Sequence, residues 1–378
     1  MRPSGAERKF MKLLFRKEDI QNGINIVSRA IPSRTTNPIL GCILINASAG
    51  EIKLTANDMD LGIETVVEGT IEEKGSVALE AKLLTDIIRK CDSPDSEISI
   101  TTNGLTTVID ADSSKFTIQG RDGEEFPYLP MIEKDSYMSI SQFTFREIVR
   151  QTAFSASISD TNRMMSGELI EVKENTARFT TLDGHRISIR NVTLKDSYGE
   201  MKAVVPVRSL NEISRILSGD NEKEILIYFS RNHLLFEFDR TVVVCSLIEG
   251  EYFRIDHMLS RDSETRVRVS KQGFISLIDR AMIFIRENDH KPIILNISED
   301  HINISIRSSF GTMDGDVPCS AEGKELKIAF NPRFLIDALR AIDDDQVDIY
   351  FTNAKAPCFI RDEKESYIYL ILPVNFVE

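Results

Sequence analysis

No stretch of about 18 consecutive apolar residues occurs along this chain, so it offers no candidate membrane-spanning helix. Cysteine is sparse and unpatterned: Cys42, Cys91, Cys245, Cys319 and Cys358 are far apart, odd in number and without CxxC spacing. That pattern argues against a disulfide framework or a cysteine-built metal site, and reads as reduced, mostly buried thiols of a cytoplasmic protein. Histidine gives no metal signal either, because His185, His233, His257, His290 and His301 form no HxH or HxxxH pair. There is no GxSxG, no Walker loop and no GxGxxG after a strand. Zinc-finger spacing and a basic zipper are also missing, which removes the common elements that read a base sequence. The first ten residues lack the apolar core of a secretory leader, and Met11 reads as the original start, making 1–10 an N-terminal extension.

What is present is a globular composition. The chain has 378 residues, 42% of them hydrophobic and 28% charged, enough for two or three domains with a sizeable core. Its net charge of −13 excludes a surface that attracts nucleic acid everywhere. A local basic face remains possible, because steering depends on where the charges sit.

The most informative feature is a repeat. Lys82, Leu84, Asp86 and Arg89 return as Arg208, Leu210, Glu212 and Arg215, and again as Arg333, Leu335, Asp337 and Arg340. The leucines are 126 and then 125 positions apart. Each unit is expected to open with an amphipathic helix, marked by Ile20, Ile24 and Val27, by Phe145, Val149 and Thr152, and by Phe274, Ile278 and Ala281. The i, i+4, i+7 spacing puts each trio on one face. Strands recur as well: Leu54-Thr55, Phe179-Thr180 and Ile304-Ser305 share the 125-residue offset, and Ile302, Ile304 and Ile306 alternate with polar residues. The reading is α+β: three similar domains, each two helices packed on antiparallel sheet. Boundaries fall near 132–138 and 259–266, giving domains over 11–134, 137–260 and 264–378. A period this long is too large for a solenoid and suggests symmetry, as in a ring or an array.

Bases recur on the helices despite the acidic total. Arg89, Arg215 and Arg340 end the second helices, Arg146 and Arg150 lie on the opening helix of unit two, and Arg280 on that of unit three. On one helix such bases simply complement the C-terminal dipole. Recurring in three units, they would pool into a positive face suited to a duplex phosphate backbone, bound without sequence preference. Two strings break the repeat. Leu182-Asp183-Gly184-His185-Arg186 permits two readings: an Asp183/His185 acid–base or metal pair in a metal-dependent hydrolase, or a structural turn after a strand, as at Asp58 in unit one. The apolar C-terminus from Tyr367 to Phe376 reads as a core strand as far as Leu372. Pro373 ends its pairing, and Val374 and Phe376 beyond it suggest a hydrophobic binding groove.

Asn37-Pro38-Ile39-Leu40-Gly41, Thr181-Leu182-Asp183-Gly184-His185-Arg186 and Leu370-Ile371-Leu372-Pro373-Val374, in that order and with a threefold repeat, resemble the bacterial DNA polymerase III beta subunit, the replicative sliding clamp family. The resemblance runs from Met11 to Phe376. It implies three DNA-clamp domains per chain and a head-to-tail homodimeric ring around duplex DNA, without catalysis, metal or cofactor. It further implies a processivity factor for DNA replication. Its partners would be the DNA polymerase III alpha subunit, the clamp loader, other polymerases and repair proteins, which dock short apolar peptides. Carried over, the peptide pocket comprises Met165, Leu182, Gly184, His185, Arg186, Ile187, Phe253, Met258, His290, Asn331, Phe334, Leu370, Leu372, Pro373, Val374 and Phe376. Arg34 joins the arginines above as DNA-facing, and Phe116, Phe284 and Ile285 match the ring-closing interface. The chain departs from the pattern at Phe253, where many members carry Pro, at Asn375, where a terminal Arg is familiar, and at Arg163-Met164, where some carry an aromatic pair. The remaining alternative is a peptide-binding adaptor without a DNA role.

Overall fold

Each repeat opens on a strand, not on the helix that the sequence reading placed first. The computed structural model describes residues 10–157, 162–286 and 291–376. Unit one runs β1 (Phe10–Arg16), α1 (Lys17–Val27), β2 (Cys42–Ser48), β3 (Glu51–Asn57), β4 (Leu61–Val67), β5 (Thr70–Glu73), β6 (Gly75–Glu80), α2 (Ala81–Arg89), β7 (Glu97–Asn103), β8 (Thr106–Ala111), β9 (Ser114–Gln119) and the short β10 (Arg121–Asp122). Unit two has β11 (Tyr137–Ser141), α3 (Gln142–Thr152), two long strands β12 (Gly167–Leu182) and β13 (Arg186–Pro206), α4 (Val207–Ile216), β14 (Glu224–Phe229), β15 (His233–Phe238) and β16 (Thr241–Ser246). Unit three has β17 (Thr265–Ser270), α5 (Lys271–Met282), β18 (Ile293–Ile297), β19 (His301–Ser308), β20 (Gly311–Gly323), β21 (Leu326–Phe330), α6 (Pro332–Ala341), β22 (Gln346–Phe351), β23 (Cys358–Arg361) and β24 (Tyr367–Ile371). The opening strands are short and abut a helix. Met11, Leu13 and Phe15 alternate inward, as do Val267 and Val269, but the helical trios after them carry the stronger periodicity. Phe10, assigned above to the extension, already pairs with Asn103 in β1.

The helical trios behave as read. Ile20, Ile24 and Val27, Phe145, Val149 and Thr152, and Phe274, Ile278 and Ala281 are all buried. Local signals set the helix starts. Asn331 Oδ1 accepts the backbone N–H of Arg333 (3.0 Å) ahead of Pro332 at the first turn of α6, and Ser270 Oγ caps α5 through Gly273 (3.4 Å). The cysteines are free; Cys42, Cys91, Cys245 and Cys358 are buried, and Cys319 is half-buried.

Three antiparallel sheets result. One has five strands in the order β5-β1-β7-β8-β9, one nine in the order β10-β6-β2-β3-β4-β16-β15-β14-β11, and one ten in the order β12-β13-β24-β23-β22-β17-β20-β19-β18-β21. The larger two each cross a repeat boundary. β16 of unit two pairs with β4 of unit one, Val243 opposite Ile63. β24 of unit three pairs with β13 of unit two, Ile187 opposite Leu370. Consequently the two compact bodies of the chain do not coincide with the repeats: one is 10–143 with 212–247, the other 144–211 with 248–376.

The second body contains a wholly buried acid. Glu168 on β12 accepts a hydrogen bond from Thr152 Oγ1 (2.6 Å) at the end of α3, while its other oxygen has no partner among the described residues. Burial without a countercharge pushes its carboxyl up to about 8. The folded pKa lies above the unfolded value of 4.5, so the folded chain binds the extra proton and stability falls as pH rises from about 4.5 through about 8. Glu168→Gln should flatten that slope. The gap in Tm between wild type and variant, followed from pH 5 to pH 9, should move by roughly 5–10 °C against the wild type.

Candidate functional site

The string that breaks the repeat folds as a turn. Asp183 Oδ1 accepts the backbone N–H groups of His185 (2.9 Å) and Arg186 (3.1 Å) between β12 and β13. Gly184 sits at φ 89°, where a glycine is least strained. Unit one makes the same turn: Asp58 Oδ1 accepts from Asp60 (3.0 Å) and Leu61 (2.7 Å), with Met59 at φ 78°. Of the two readings of Asp183, the geometry favours the turn. Among the described residues no group of three His, Cys, Asp or Glu side chains could hold a metal ion.

Arg186 fixes the surroundings of the turn. Its Nε donates to Asp183 Oδ2 (3.0 Å), its Nη1 to Asp337 Oδ2 on α6 (2.6 Å) and its Nη2 to the carbonyl of Phe154 (2.6 Å). The guanidinium also lies over the rings of Phe334 (4.5 Å) and Phe154 (5.4 Å). The side chain is 11% exposed, so its charge is met almost entirely by protein. In the other two second helices the matching acids pair within the helix, Asp86 with Arg89 (2.7 Å) and Glu212 with Arg215. Asp337 is instead taken by Arg186, and Arg340 pairs with Asp279 (3.6 Å).

The next layer is the seam between β13 and β24, extended by Leu372 N–H donating to the carbonyl of His185 (2.9 Å). Over it runs the segment after β16, anchored by Tyr252, whose hydroxyl donates to the Gly167 or the Thr180 carbonyl, both 3.2 Å away. Together these pieces enclose a largely apolar cavity of about 270 Å³. Ten of the sixteen expected residues line it: Met165, Leu182, Gly184, His185, Arg186, Ile187, Phe253, Met258, Leu370 and Leu372. Arg254, Ile255 and His257 also line it and were missed, although their place between Phe253 and Met258 was the available signal. The other expected residues that the structure describes do not line this cavity. Asn331 caps α6. Phe334 stands behind His185, ring to ring at 6.1 Å, and beneath Arg186. Past Pro373 the chain is not a loose end: Val374 N–H donates to the Ala329 carbonyl (2.8 Å), and the Lys327 ammonium lies 5.6 Å from the Phe376 ring centre. His290 lies outside the described residues.

The expected DNA-facing arginines divide by partner. Arg34, Arg146 and Arg280 are exposed and form no ion pair among the described residues. Arg89, Arg215 and Arg340 are exposed but carry the acids named above. Arg150 is held by Glu147 (2.6 Å) and Asp343 (2.8 Å), and it donates to the Arg340 and Ala341 carbonyls at the end of α6. Of the expected interface residues, Phe116 lies on β9, the last strand of its sheet, and Phe284 follows α5 and faces Gly311. Ile285 packs against the same core as Phe284, and Ile283 beside them is 78% exposed.

Sequence profiles of three domain families match in order: the DNA polymerase III beta subunit N-terminal domain over residues 11–130, its central domain over 139–253 and its C-terminal domain over 256–375. The chain belongs to the DNA polymerase III beta subunit family. A beta sliding clamp of Staphylococcus aureus is 31% identical over 97% of this chain and 99% of that protein. The crystal structure of the Bacillus subtilis DNA polymerase sliding clamp is 30% identical, with a TM-score of 0.93 over 97% of this chain and 100% of the other. A Eubacterium rectale structure assigned as a DNA polymerase III beta subunit is 50% identical, with a TM-score of 0.94 over the same shares. The three repeats are therefore three clamp domains. In these terms the cavity is built where central-domain strands β12 and β13 meet C-terminal-domain strand β24.

Arg186→Lys keeps the charge but loses the planar fork that serves three acceptors. It should cost about 2–3 kcal/mol in denaturant unfolding, because Asp183, Asp337 and the Phe154 carbonyl cannot all be satisfied by one ammonium.

Proposed function

We propose that this protein is a sliding clamp: a non-catalytic, cytoplasmic processivity factor whose homodimeric ring encircles duplex DNA and holds the replicative polymerase to it. Family membership along the whole chain carries this reading. The domains proposed are 11–134, 137–260 and 264–378. The cavity over β13 and β24 is proposed to take short apolar peptides of the DNA polymerase III alpha subunit, the clamp loader, other polymerases and repair proteins. An apolar concavity with a few placed polar groups suits that task. DNA is held by topology and weak phosphate attraction through Arg34, Arg89, Arg146, Arg215, Arg280 and Arg340, while Arg150 contributes mainly by bracing α6.

The internal seams support the ring. The last strand of unit two pairs with β4, and the last strand of unit three with the start of β13. Two halves of the same seam remain without partners among the described residues: the outer edge of β9, and the outer edge of β20 over Gly311–Val317. Joining them head to tail between two chains closes a ring. Carrying over the register of Val243 against Ile63 sets Phe116 opposite Met313 of the partner subunit, and Lys115 opposite the partner's Asp314. That places unlike charges across the seam and brings the Phe284 neighbourhood to Phe116.

Four measurements test the reading. Light scattering should give two chains per particle, and a Lys115→Cys/Asp314→Cys chain should crosslink into covalent dimers under mild oxidation; a monomer, or no crosslink, would exclude this seam. The ring should stay on closed circular DNA and slide off linear DNA, and equal retention would count against encirclement. Leu372→Asp should abolish binding of partner peptides while leaving the dimer intact.

A further inference from the structure

The turn that precedes each seam occurs a third time. Ser308 Oγ accepts the backbone N–H of Phe310 (3.1 Å), as Asp183 Oδ1 accepts that of His185 (2.9 Å). By the repeat offset of 125, Phe310 stands where unit two has His185, and Gly311 where it has Arg186. This third turn leads into β20, whose outer edge is the half-seam proposed above to meet β9 of a second chain.

At the second seam both turn residues reach the second helix of the next repeat. His185 lies ring to ring with Phe334 (6.1 Å), and Arg186 takes Asp337 (2.6 Å). At the first seam a base also crosses to the repeated acid: Arg29 lies 3.6 Å from Glu212, which pairs with Arg215 of its own helix as well. In unit one the matching helix positions are Leu83 and Asp86. Among the described residues no other repeat reaches them: Leu83 is 40% exposed, and Asp86 pairs with Arg89 of its own helix (2.7 Å).

The third turn presents the complementary pair. Gly311 offers no side chain at the place of Arg186, but Arg286, four residues past α5, brings a guanidinium to 4.2 Å from the Phe310 ring centre. Arg186 lies over Phe334 in the same manner (4.5 Å). Arg286 forms no ion pair among the described residues, and Phe310 is 54% exposed.

We propose that Phe310 and Arg286 form a clasp on the second helix of a second copy of this chain, Phe310 packing on the partner's Leu83 and Arg286 pairing with the partner's Asp86. The two contacts are those of His185 with Phe334 and Arg186 with Asp337, carried to the third seam. An exposed apolar pair and a pair of unlike charges are matched on surfaces that pairing of β9 with β20 would bring together. Stacking on Phe310 holds the guanidinium in place before the partner arrives, which lowers the cost of ordering it. Backbone pairing alone would accept any edge strand, so the clasp supplies the side-chain selectivity for a second copy, once at each seam of the ring. This rests on the head-to-tail ring reading, and the experiment separates the two.

The test is the dimer dissociation constant of the full chain, measured by sedimentation equilibrium on variants whose circular dichroism matches the native chain. Arg286→Gln and Asp86→Asn should each raise it about tenfold, both seams counting. The double variant should be no weaker than either single one, because each already loses the pair. Asp86→Asn also loses Arg89, so this lack of additivity decides, not the single loss. Phe310→Ser and Leu83→Ser should likewise weaken the dimer without adding to one another. An unchanged constant in all four variants, or losses that simply add, would overturn the clasp and leave the strand seam standing if Lys115→Cys/Asp314→Cys still crosslinks. A native chain that stays monomeric would overturn the clasp and the ring together.

Discussion

Backbone pairing across repeat boundaries is the constraint on which the rest of the molecule depends. At each boundary the last strand of one repeat lies antiparallel against the strand that follows the Asp58 or Asp183 turn in the repeat before it. Ladder hydrogen bonds come from the main chain, so the seam does not require particular side chains. That freedom lets the repeats diverge in sequence while keeping one register. It also explains why the compact bodies cut through unit two: β11 and β14–β16 continue the sheet of unit one through β4, while β12 and β13 join that of unit three through β24. The candidate cavity is attached to a seam: the turn at one end, the linker above, the apolar rows of the sheet below.

On that shared frame one arginine makes the second junction different. Unit one has Leu61 where unit two has Arg186. The arginine reaches Asp337 of the third repeat and takes the acid that the other second helices pair with their own arginine. Three acceptors and two aromatic faces hold a single planar group, which a flexible ammonium could not match. The Asp183 turn, the end of α3 near Phe154 and the start of α6 are thereby tied at one point. The apolar cavity is built on that rigid base, with Ile187 and Leu370 as its floor. Buried Glu168, close to the Tyr252 anchor, adds a proton-dependent element beneath the same linker.

Much of this was legible in the sequence, for identifiable reasons. The helix trios, the alternating Ile302, Ile304 and Ile306, and the turn at Asp183-Gly184 rest on local periodicity and local hydrogen bonding, and all appear where they were read. The strands that open each repeat did not show, because five to seven alternating residues joined directly to a helix leave only two or three inward positions to read. The cavity was located through a resemblance, and the expected residues that do not line it follow a physical pattern. Asn331, Phe334 and Val374 are near its walls but serve them indirectly, as a helix cap, as the stacking partner of Arg186 and as a backbone clamp on Ala329. Spacing cannot separate a residue that lines a cavity from one that holds a lining residue in place. The approach of Leu129 to Gly62 was illegible for the same reason: a glycine in a strand signals a close approach, but not by what.

The arrangement of charge suits the proposed ring, which must hold DNA and still move. Arg89 and Arg215 each carry an acid three residues before them on their own helix, and Arg340 carries Asp279. An exposed pair of that kind contributes little to stability, but it lowers the local positive potential that a phosphate would meet. Bases without such partners, at Arg34, Arg146 and Arg280, come one from each repeat. Under the DNA-facing role proposed for them, the attraction is shared among the three repeats instead of concentrated on one. In the proposed ring a released phosphate contact would be replaced by a similar one, so translation along the backbone would change the total little. A net charge of −13 on the whole chain keeps the remaining surface from competing for the same backbone.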